Sequence, residues 1–133
     1  MTPVVQTNYG KHTGNCLTAC VASVLDVPIE SVPEFCTDGE WFANLVAFCK
    51  ENGFFLVYWK QNDPMPIIAI GLYIILLLNL EGVEDLHAVV AKTRAVKGED
   101  PVWLWHSDVV HDPNEHGYPP VKSVNSYLVI GKQ

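Results

Sequence analysis

Three residues in this chain have the types and the order needed for acyl-transfer chemistry. Cys16 lies in the motif Gly-Asn-Cys-Leu-Thr-Ala-Cys, His87 in Leu-His-Ala-Val-Val-Ala, and Asp112 in Val-His-Asp-Pro. A thiol supplies a nucleophile, an imidazole supplies its base, and a carboxylate orients the imidazole. The three residues together therefore predict thiol-dependent acyl transfer.

Cys16 is expected at the first turn of a helix over residues 16–27, which Thr13 or Asn15 would cap and Pro28 would end. Unpaired backbone N–H groups and the helix dipole at such a position favour a thiolate and can also hold an oxyanion. The alternative for any single cysteine is a small buried apolar residue, which is what we expect of Cys20, one turn further along.

His87 and Asp112 are expected at the ends of neighbouring strands. His87 begins a short apolar run typical of a buried strand, and Asp112 follows the strand near 102–111 and precedes a proline. A carboxylate there can accept a hydrogen bond from the imidazole and fix its tautomer. The alternatives are a histidine bonded locally at a strand end and an aspartate that only starts a turn.

Taken in chain order, these motifs resemble the papain-like cysteine peptidase superfamily. The closest likeness is the C39-like branch of bacterial double-glycine-leader peptidases, with its bacterial and phage relatives. The resemblance implies that Cys16 is the nucleophile, His87 the general base and Asp112 the orienting carboxylate. It also implies a papain-like α+β fold, in which an N-terminal helix carrying the cysteine packs on a largely antiparallel β-sheet carrying the other two.

The chain departs from the family pattern at the oxyanion hole. Members of the superfamily usually carry a glutamine upstream of the cysteine that helps to form it. The nearest candidate here is Gln6, ten positions before Cys16 and further away than is usual. Asn8 and the side chain of Asn15 are the substitutes that the sequence offers.

Two further residues are expected to line the cleft. Leu17 stands where the peptidase branch typically has glycine, so its side chain is expected to narrow or reshape the cleft. His111 is expected to lie in the cleft beside Asp112.

A metal site is the competing interpretation of His106, His111 and His116. Their five-residue spacing places successive members on opposite faces of a strand, or about 140° apart on a helix. No H-x-x-x-H or H-x-H pair occurs in the chain. We therefore expect neither a metal nor another cofactor.

The remaining pattern predicts two helices followed by strands. Asp38 would cap a second helix that Gly53 ends. Aromatic and β-branched segments then predict strands, at 54–59, within 66–79, near 86–93, near 102–111, and at 124–130. Helices first and strands afterwards are typical of an α+β domain with a largely antiparallel sheet.

The uncharged stretch 65–80 is better explained by a sheet than by a membrane. A spanning helix needs about 20 apolar residues. This stretch contains Pro66 and Gly71, and its flanks are Asp63 and Glu81 rather than basic residues. We expect buried strands, covered within the chain or by a partner chain.

The size and net charge of the chain indicate which kinds of partner it can bind. The length of 133 residues predicts one domain, 1–133. The net charge of −7 predicts that the chain lacks the basic stripe that nucleic-acid binding requires. We see no membrane segment and no export signal, and the four cysteines lack zinc-site spacing. Free thiols in a cytoplasmic protein are therefore expected.

Three functions remain open from the sequence. The first is a thiol hydrolase that cleaves a peptide, isopeptide or small amide through an acyl-enzyme on Cys16. The second is a catalytically silent papain-like binding or inhibitory module, for example one encoded by a phage against a host protein. The third is transglutaminase or other acyltransferase chemistry on the same residues. A homodimer is a further arrangement that the sequence leaves open.

Overall fold

The computed structural model describes residues 1–10, 14–64, 69–97 and 103–133. Two helices come first, with a single 3₁₀ turn between them, and five strands follow. The helices are α1 (Cys16–Leu25) and α2 (Trp41–Asn52), and the 3₁₀ turn is Ile29–Ser31. The strands are β1 (Phe54–Lys60), β2 (Tyr73–Leu80), β3 (His87–Lys97), β4 (Trp103–His111) and β5 (Val121–Lys132).

The five strands form one antiparallel sheet in the order β1-β5-β2-β3-β4. Both helices contact it, α1 through β2, β3 and β5, and α2 through β1. The prediction of an α+β fold with N-terminal helices packed on an antiparallel sheet is confirmed.

The ends of the helices follow from local chemistry. Helix α1 stops at Leu25, two residues earlier than predicted, because Asp26 adopts a left-handed conformation with φ of 58°. Asn15 is its N-cap residue, whereas Thr13 lies outside the described residues. Helix α2 ends at Gly53, whose φ of 70° suits the residue without a Cβ.

Helix α2 begins at Trp41 rather than next to Asp38. The Asp38 carboxylate accepts a hydrogen bond from the backbone N–H of Glu40 at 3.0 Å and one from Nδ2 of Asn44 at 2.9 Å. Asp38 thus holds the turn that precedes the helix, and these hydrogen bonds lower the pKa of its carboxyl.

Strand β2 is the centre of the molecule. Ile75 and Leu77 pack in a cluster on the side of the helices, and Ile74, Leu76 and Leu78 pack in a second cluster on the other side. Of the apolar stretch predicted as buried strand, residues 74–78 are covered on both faces within the chain. Ala69, Ile70 and Gly71 are exposed and precede the strand, and residues 65–68 lie outside the described part. No helix among the described residues is long and apolar enough to cross a membrane.

The strand register brings the start of β3 and the end of β4 to the same end of the sheet. His87 opens β3 and pairs with Leu78 of β2, while His111 closes β4 and pairs with Val90 of β3. The β3–β4 register shifts at this point, because Ala91 pairs with Val109 and Val110 has no partner. Such a bulge re-aims the residues that follow it.

The helix-side core predicts a matched pair of stability effects. Leu128 on β5 is 0% exposed and packs in the cluster under the helices. Leu128→Ala is expected to lower the free energy of unfolding by about 2–5 kcal/mol, because it removes buried apolar contacts and leaves a cavity. Urea unfolding followed by circular dichroism measures the change.

Ser126 supplies the control on the same strand. Its Oγ is buried and has no hydrogen-bond partner among the described residues. Ser126→Ala removes an unsatisfied hydroxyl, so its stability is expected to stay within about 1 kcal/mol of the parent or to rise. A Ser126→Ala protein destabilised as much as Leu128→Ala would contradict this description of the core.

Candidate active site

Cys16 is the first residue of α1, and its thiol faces the beginning of β3. The backbone N–H of Ala88 donates a hydrogen bond to Sγ of Cys16, with 3.5 Å between the two heavy atoms. Because Ala88 directly follows His87, this contact brings the thiol beside the residue that carries the imidazole. The packing of α1 on β3 therefore sets the distance between the candidate nucleophile and its candidate base.

The pKa of Cys16 is raised, not lowered. Burial is the largest cause, and the negative charge of Asp112 acts in the same direction. Hydrogen bonds from the backbone N–H groups of Ala88, Leu17 and Cys16 itself oppose the rise without overcoming it. At this buried position, desolvation of the charged sulfur opposes the helix-end donors and favours the protonated thiol.

His87 is held by Asp112 through one of its ring nitrogens. Nε2 of His87 and Oδ1 of Asp112 are 2.8 Å apart, and since a carboxylate accepts, Nε2 carries the proton. The same Oδ1 accepts the backbone N–H of Asn114 at 2.9 Å, which fixes the carboxylate. Nδ1 of His87 is then the nitrogen left to accept a proton from a thiol.

Tyr118 packs on this pair. Its ring centroid lies 5.0 Å from that of His87, with the ring planes tilted by 46°. Burial and the charge of Asp112 raise the pKa of its phenol. Tyr118 was not predicted from the sequence, because it lies in a loop rich in turn residues where nothing distinguishes a tyrosine that packs from one in solvent.

Gln6 lies in the cleft beside Cys16 and is only 7% exposed. Its backbone N–H donates to the carbonyl of Pro113 at 2.9 Å, which joins it to the loop carrying Asp112. Its Nε2 donates to the carbonyl of Asn8 at 3.0 Å, and its Oε1 is buried without a partner among the described residues. The structure thus places Gln6 and Cys16 in the lining of one cleft despite the long gap in sequence.

The side-chain amide of Asn15 is engaged in other hydrogen bonds and is not free to donate to an oxyanion. Its amide bonds to the backbone and hydroxyl of Thr7, to the backbone of Asn8 and to the carboxylate of Glu34. Asn8, the other substitute, uses its Oδ1 to accept the N–H of Gly10 and its carbonyl to hold Gln6. Of these three candidates, Gln6 is the one that lines the cleft together with Cys16.

Cys16, Gln6, His87 and Tyr118 line one cleft of about 630 Å³. Its walls come from the N-terminal loop, the start of α1, the segment before α2, the turn between β2 and β3, and the loop between β4 and β5. The lining residues include Cys16, Leu17, Gln6, Tyr9, Cys36, Trp41, Leu77, Leu80, Val83, Glu84, Asp85, Leu86, His87, Ala88, Asn114 and Tyr118. Leu17 lines the cleft, as expected, and the volume is sufficient for a few residues of a peptide or a small amide.

His111 lies outside the cleft. Its Nε2 donates to the carbonyl of Val4 at 2.7 Å and so ties the end of β4 to the N-terminal segment. His116 is exposed, and its ring is tilted by 55° against that of Tyr9, with 5.5 Å between the ring centroids. Within the described part of the chain, no three His, Cys, Asp or Glu side chains are grouped to hold a metal ion.

All four cysteines are free thiols. Cys20 is completely buried, and burial raises the pKa of its thiol well above its ordinary value. Cys36 lines the same cleft as Cys16, and burial together with the charge of Cys16 raises the pKa of Cys36 to about 11. Neither is placed next to an imidazole–carboxylate pair as Cys16 is.

No protein-family model matches this sequence, and no curated protein and no solved structure matches it either.

The raised pKa of Cys16 predicts how its alkylation depends on pH. At pH 7 the thiol is protonated, so reaction with iodoacetamide depends on His87 as base. His87→Ala is expected to slow the alkylation of Cys16 by about 100-fold at pH 7, the lower end of what general-base catalysis provides. Quenched reactions mapped by mass spectrometry give the rate at each cysteine.

High pH and the second cleft thiol, Cys36, serve as internal controls for this experiment. As pH rises through the pKa of Cys16, the thiolate forms without a base, and the rates of the parent and His87→Ala proteins should converge. Cys36 is expected to react slowly at pH 7 in both, because its pKa is about 11. Equal Cys16 rates in the two proteins at pH 7 would contradict a functional thiol–imidazole pair.

Proposed function

We propose that this chain is a papain-like thiol hydrolase that cleaves a peptide, isopeptide or small amide through an acyl-enzyme on Cys16. The observation that carries the proposal is the meeting, in one cleft, of a helix-start thiol with a histidine already paired to a carboxylate. The supporting distances are 3.5 Å from the Ala88 nitrogen to Sγ and 2.8 Å from His87 to Asp112.

Acylation begins when the substrate carbonyl lies over Sγ. Nδ1 of His87 takes the thiol proton as sulfur forms its bond to the carbonyl carbon, so no resting thiolate is needed. The backbone N–H of Cys16 and the second N–H of the Gln6 amide hold the negative oxygen. The tetrahedral adduct then expels the amine, which leaves with the proton from His87.

Deacylation uses the same residues in reverse. A water takes the place of the departed amine, His87 removes its proton, and the oxygen attacks the thioester carbon. The carbon–sulfur bond breaks, the acid leaves, and Cys16 recovers its proton from His87. Asp112 stays ionised throughout and stabilises the imidazolium that forms in each half-reaction.

The role of Asp112 follows from its contacts. It accepts from Nε2 of His87 and is itself fixed by the N–H of Asn114, which leaves Nδ1 of the imidazole free to take the thiol proton. The Tyr118 ring packs against the His87 ring, and His87 is only 8% exposed. A charged hydrogen bond is stronger where water is excluded.

A catalytically silent binding module is the second candidate. The observation in its favour is the burial that raises the pKa of Cys16, since a protonated thiol is a weak nucleophile unless the base acts on it. Such a module would keep its partner after loss of both Cys16 and His87. A hydrolase would lose turnover in the same double variant.

An activated ester tests acyl-enzyme formation without knowledge of the natural substrate. With p-nitrophenyl acetate, one acetyl group per chain is expected on Cys16, followed by its slow hydrolysis. Cys16→Ala should abolish the burst of p-nitrophenol, whereas Cys36→Ser, a change of a second thiol in the same cleft, should retain it. Rapid-mixing absorbance and peptide mapping provide the two readouts.

The outcome against the proposal is equally specific. Acetylation at Cys36 or at lysines alone, with no burst that depends on Cys16, would contradict a Cys16 acyl-enzyme. Added hydroxylamine or a primary amine separates the chemistries, because an acyltransferase passes the acetyl group to the amine in preference to water.

A further inference from the structure

Asn15 is a helix N-cap residue that does not cap its own helix. An asparagine at this position ordinarily accepts an N–H of the first turn with its side-chain oxygen. Here α1 has no side-chain cap. The first-turn N–H groups of Cys16 and Leu17 instead face Sγ of Cys16. The unused cap leaves donors beside the thiol, where an oxyanion would form.

The Asn15 amide is fully occupied by two other segments. Oδ1 accepts the backbone N–H groups of Thr7 and Asn8, both at 2.9 Å. Nδ2 donates to Oγ1 of Thr7 at 2.8 Å and to Oε1 of Glu34 at 3.1 Å. Both lone pairs and both N–H groups of an amide are thereby used, on a residue that is 1% exposed.

Glu34 decides which way the amide faces. A carboxylate only accepts, so Nδ2 of Asn15 must turn toward it, and Oδ1 must then face the N–H groups of Thr7 and Asn8. The segment carrying Glu34 is itself fixed to α1, because Oγ1 of Thr18 donates to the carbonyl of Pro33 at 2.9 Å. Glu34 and α1 thus form one frame on which the N-terminal loop is held.

The loop held in this way carries Gln6. The carbonyl of Asn8 accepts both the backbone N–H of Asn15, at 3.1 Å, and Nε2 of Gln6, at 3.0 Å. Gly14 allows the close approach, since a Cβ there would lie 3.2 Å from the carbonyl oxygen of Gly10 and 3.4 Å from that of Asn8. Through Asn8, the position of the Gln6 amide depends on Asn15.

We propose that Asn15 and Glu34 are a positioning pair that orients Gln6 for the oxyanion and leaves the first-turn N–H groups of α1 open to the substrate. This inference rests on the proposed function, and it assigns Asn15 and Glu34 no contact with the reacting atoms. Their loss should therefore weaken stabilisation of an oxyanion without changing the reactivity of the thiol itself.

Exchanging the amide of Asn15 and the carboxylate of Glu34 tests this pair in the full chain. Asn15→Asp keeps an acceptor for Thr7 and Asn8 but sets a second carboxylate against Glu34. Glu34→Gln in the same protein supplies an N–H donor again and should restore the contact. The probe is a small peptide aldehyde, N-acetylglycinal, whose reversible adduct with Cys16 places an oxygen in the oxyanion position. Iodoacetamide, which needs no oxyanion hole, probes the thiol alone.

We expect Asn15→Asp to weaken aldehyde binding at least 10-fold, while the alkylation rate of Cys16 changes less than 2-fold. The double variant should recover aldehyde binding to within 3-fold of the parent. In a Gln6→Ala background, the effect of Asn15→Asp should largely disappear, since the pair acts through Gln6. Glu34→Ala, which changes an exposed residue, should lose about 3-fold and supplies a variant expected to remain folded.

The inference would be overturned by unchanged aldehyde binding in Asn15→Asp, by an equal loss of alkylation, or by an undiminished effect in the Gln6→Ala background. A parent protein that alkylates with His87 dependence yet binds no aldehyde would also overturn it, while leaving the thiol–imidazole pair in place. Alkylation independent of His87 would instead contradict the proposed function itself.

Discussion

The packing of helix α1 on strand β3 is the constraint on which the candidate site depends. It brings Sγ of Cys16 to the backbone N–H of Ala88 and therefore next to His87. Strand β3 is held between β2 and β4, so the histidine side of the contact cannot shift without disturbing the sheet. The N-terminal loop, the segment before α2, the turn between β2 and β3 and the loop between β4 and β5 supply the other walls of the cleft.

The same packing creates a conflict between burial and reactivity. A thiol pressed against a strand is desolvated, and this raises its pKa in spite of three backbone donors. A site of this kind requires a base that removes the proton during attack, rather than one that stores a thiolate. The pairing of His87 with Asp112, and the cover that Tyr118 provides, suit that requirement.

The order of the elements could be predicted from the sequence, and the three candidate residues could be selected from it. Helical spacing, strand composition and turn residues are local signals, and they predicted the two helices and the antiparallel sheet. Cys16, His87 and Asp112 stood out because each follows or begins a predicted element, and their types match one reaction.

The remaining contacts depend on tertiary geometry that local patterns do not contain. Asn15 was interpreted as a cap or an oxyanion donor, but its amide is taken by Thr7, Asn8 and Glu34, which become neighbours only once the chain has folded. His111 was expected in the cleft and instead bonds to Val4, next to an unpaired Val110 that no alternation rule anticipates.

The most direct measurement is the tautomer of His87, read from the imidazole nitrogen shifts of the ¹⁵N-labelled protein by NMR at a pH where the ring is neutral. A neutral ring that donates to Asp112 must carry its proton on Nε2 and leave Nδ1 unprotonated, available to the thiol of Cys16. Alkylation of Cys16 should shift the Nδ1 resonance, and Asp112→Ala should release the ring into a mixture of tautomers. A proton found on Nδ1, with shifts insensitive to both changes, would contradict a thiol–imidazole–carboxylate site.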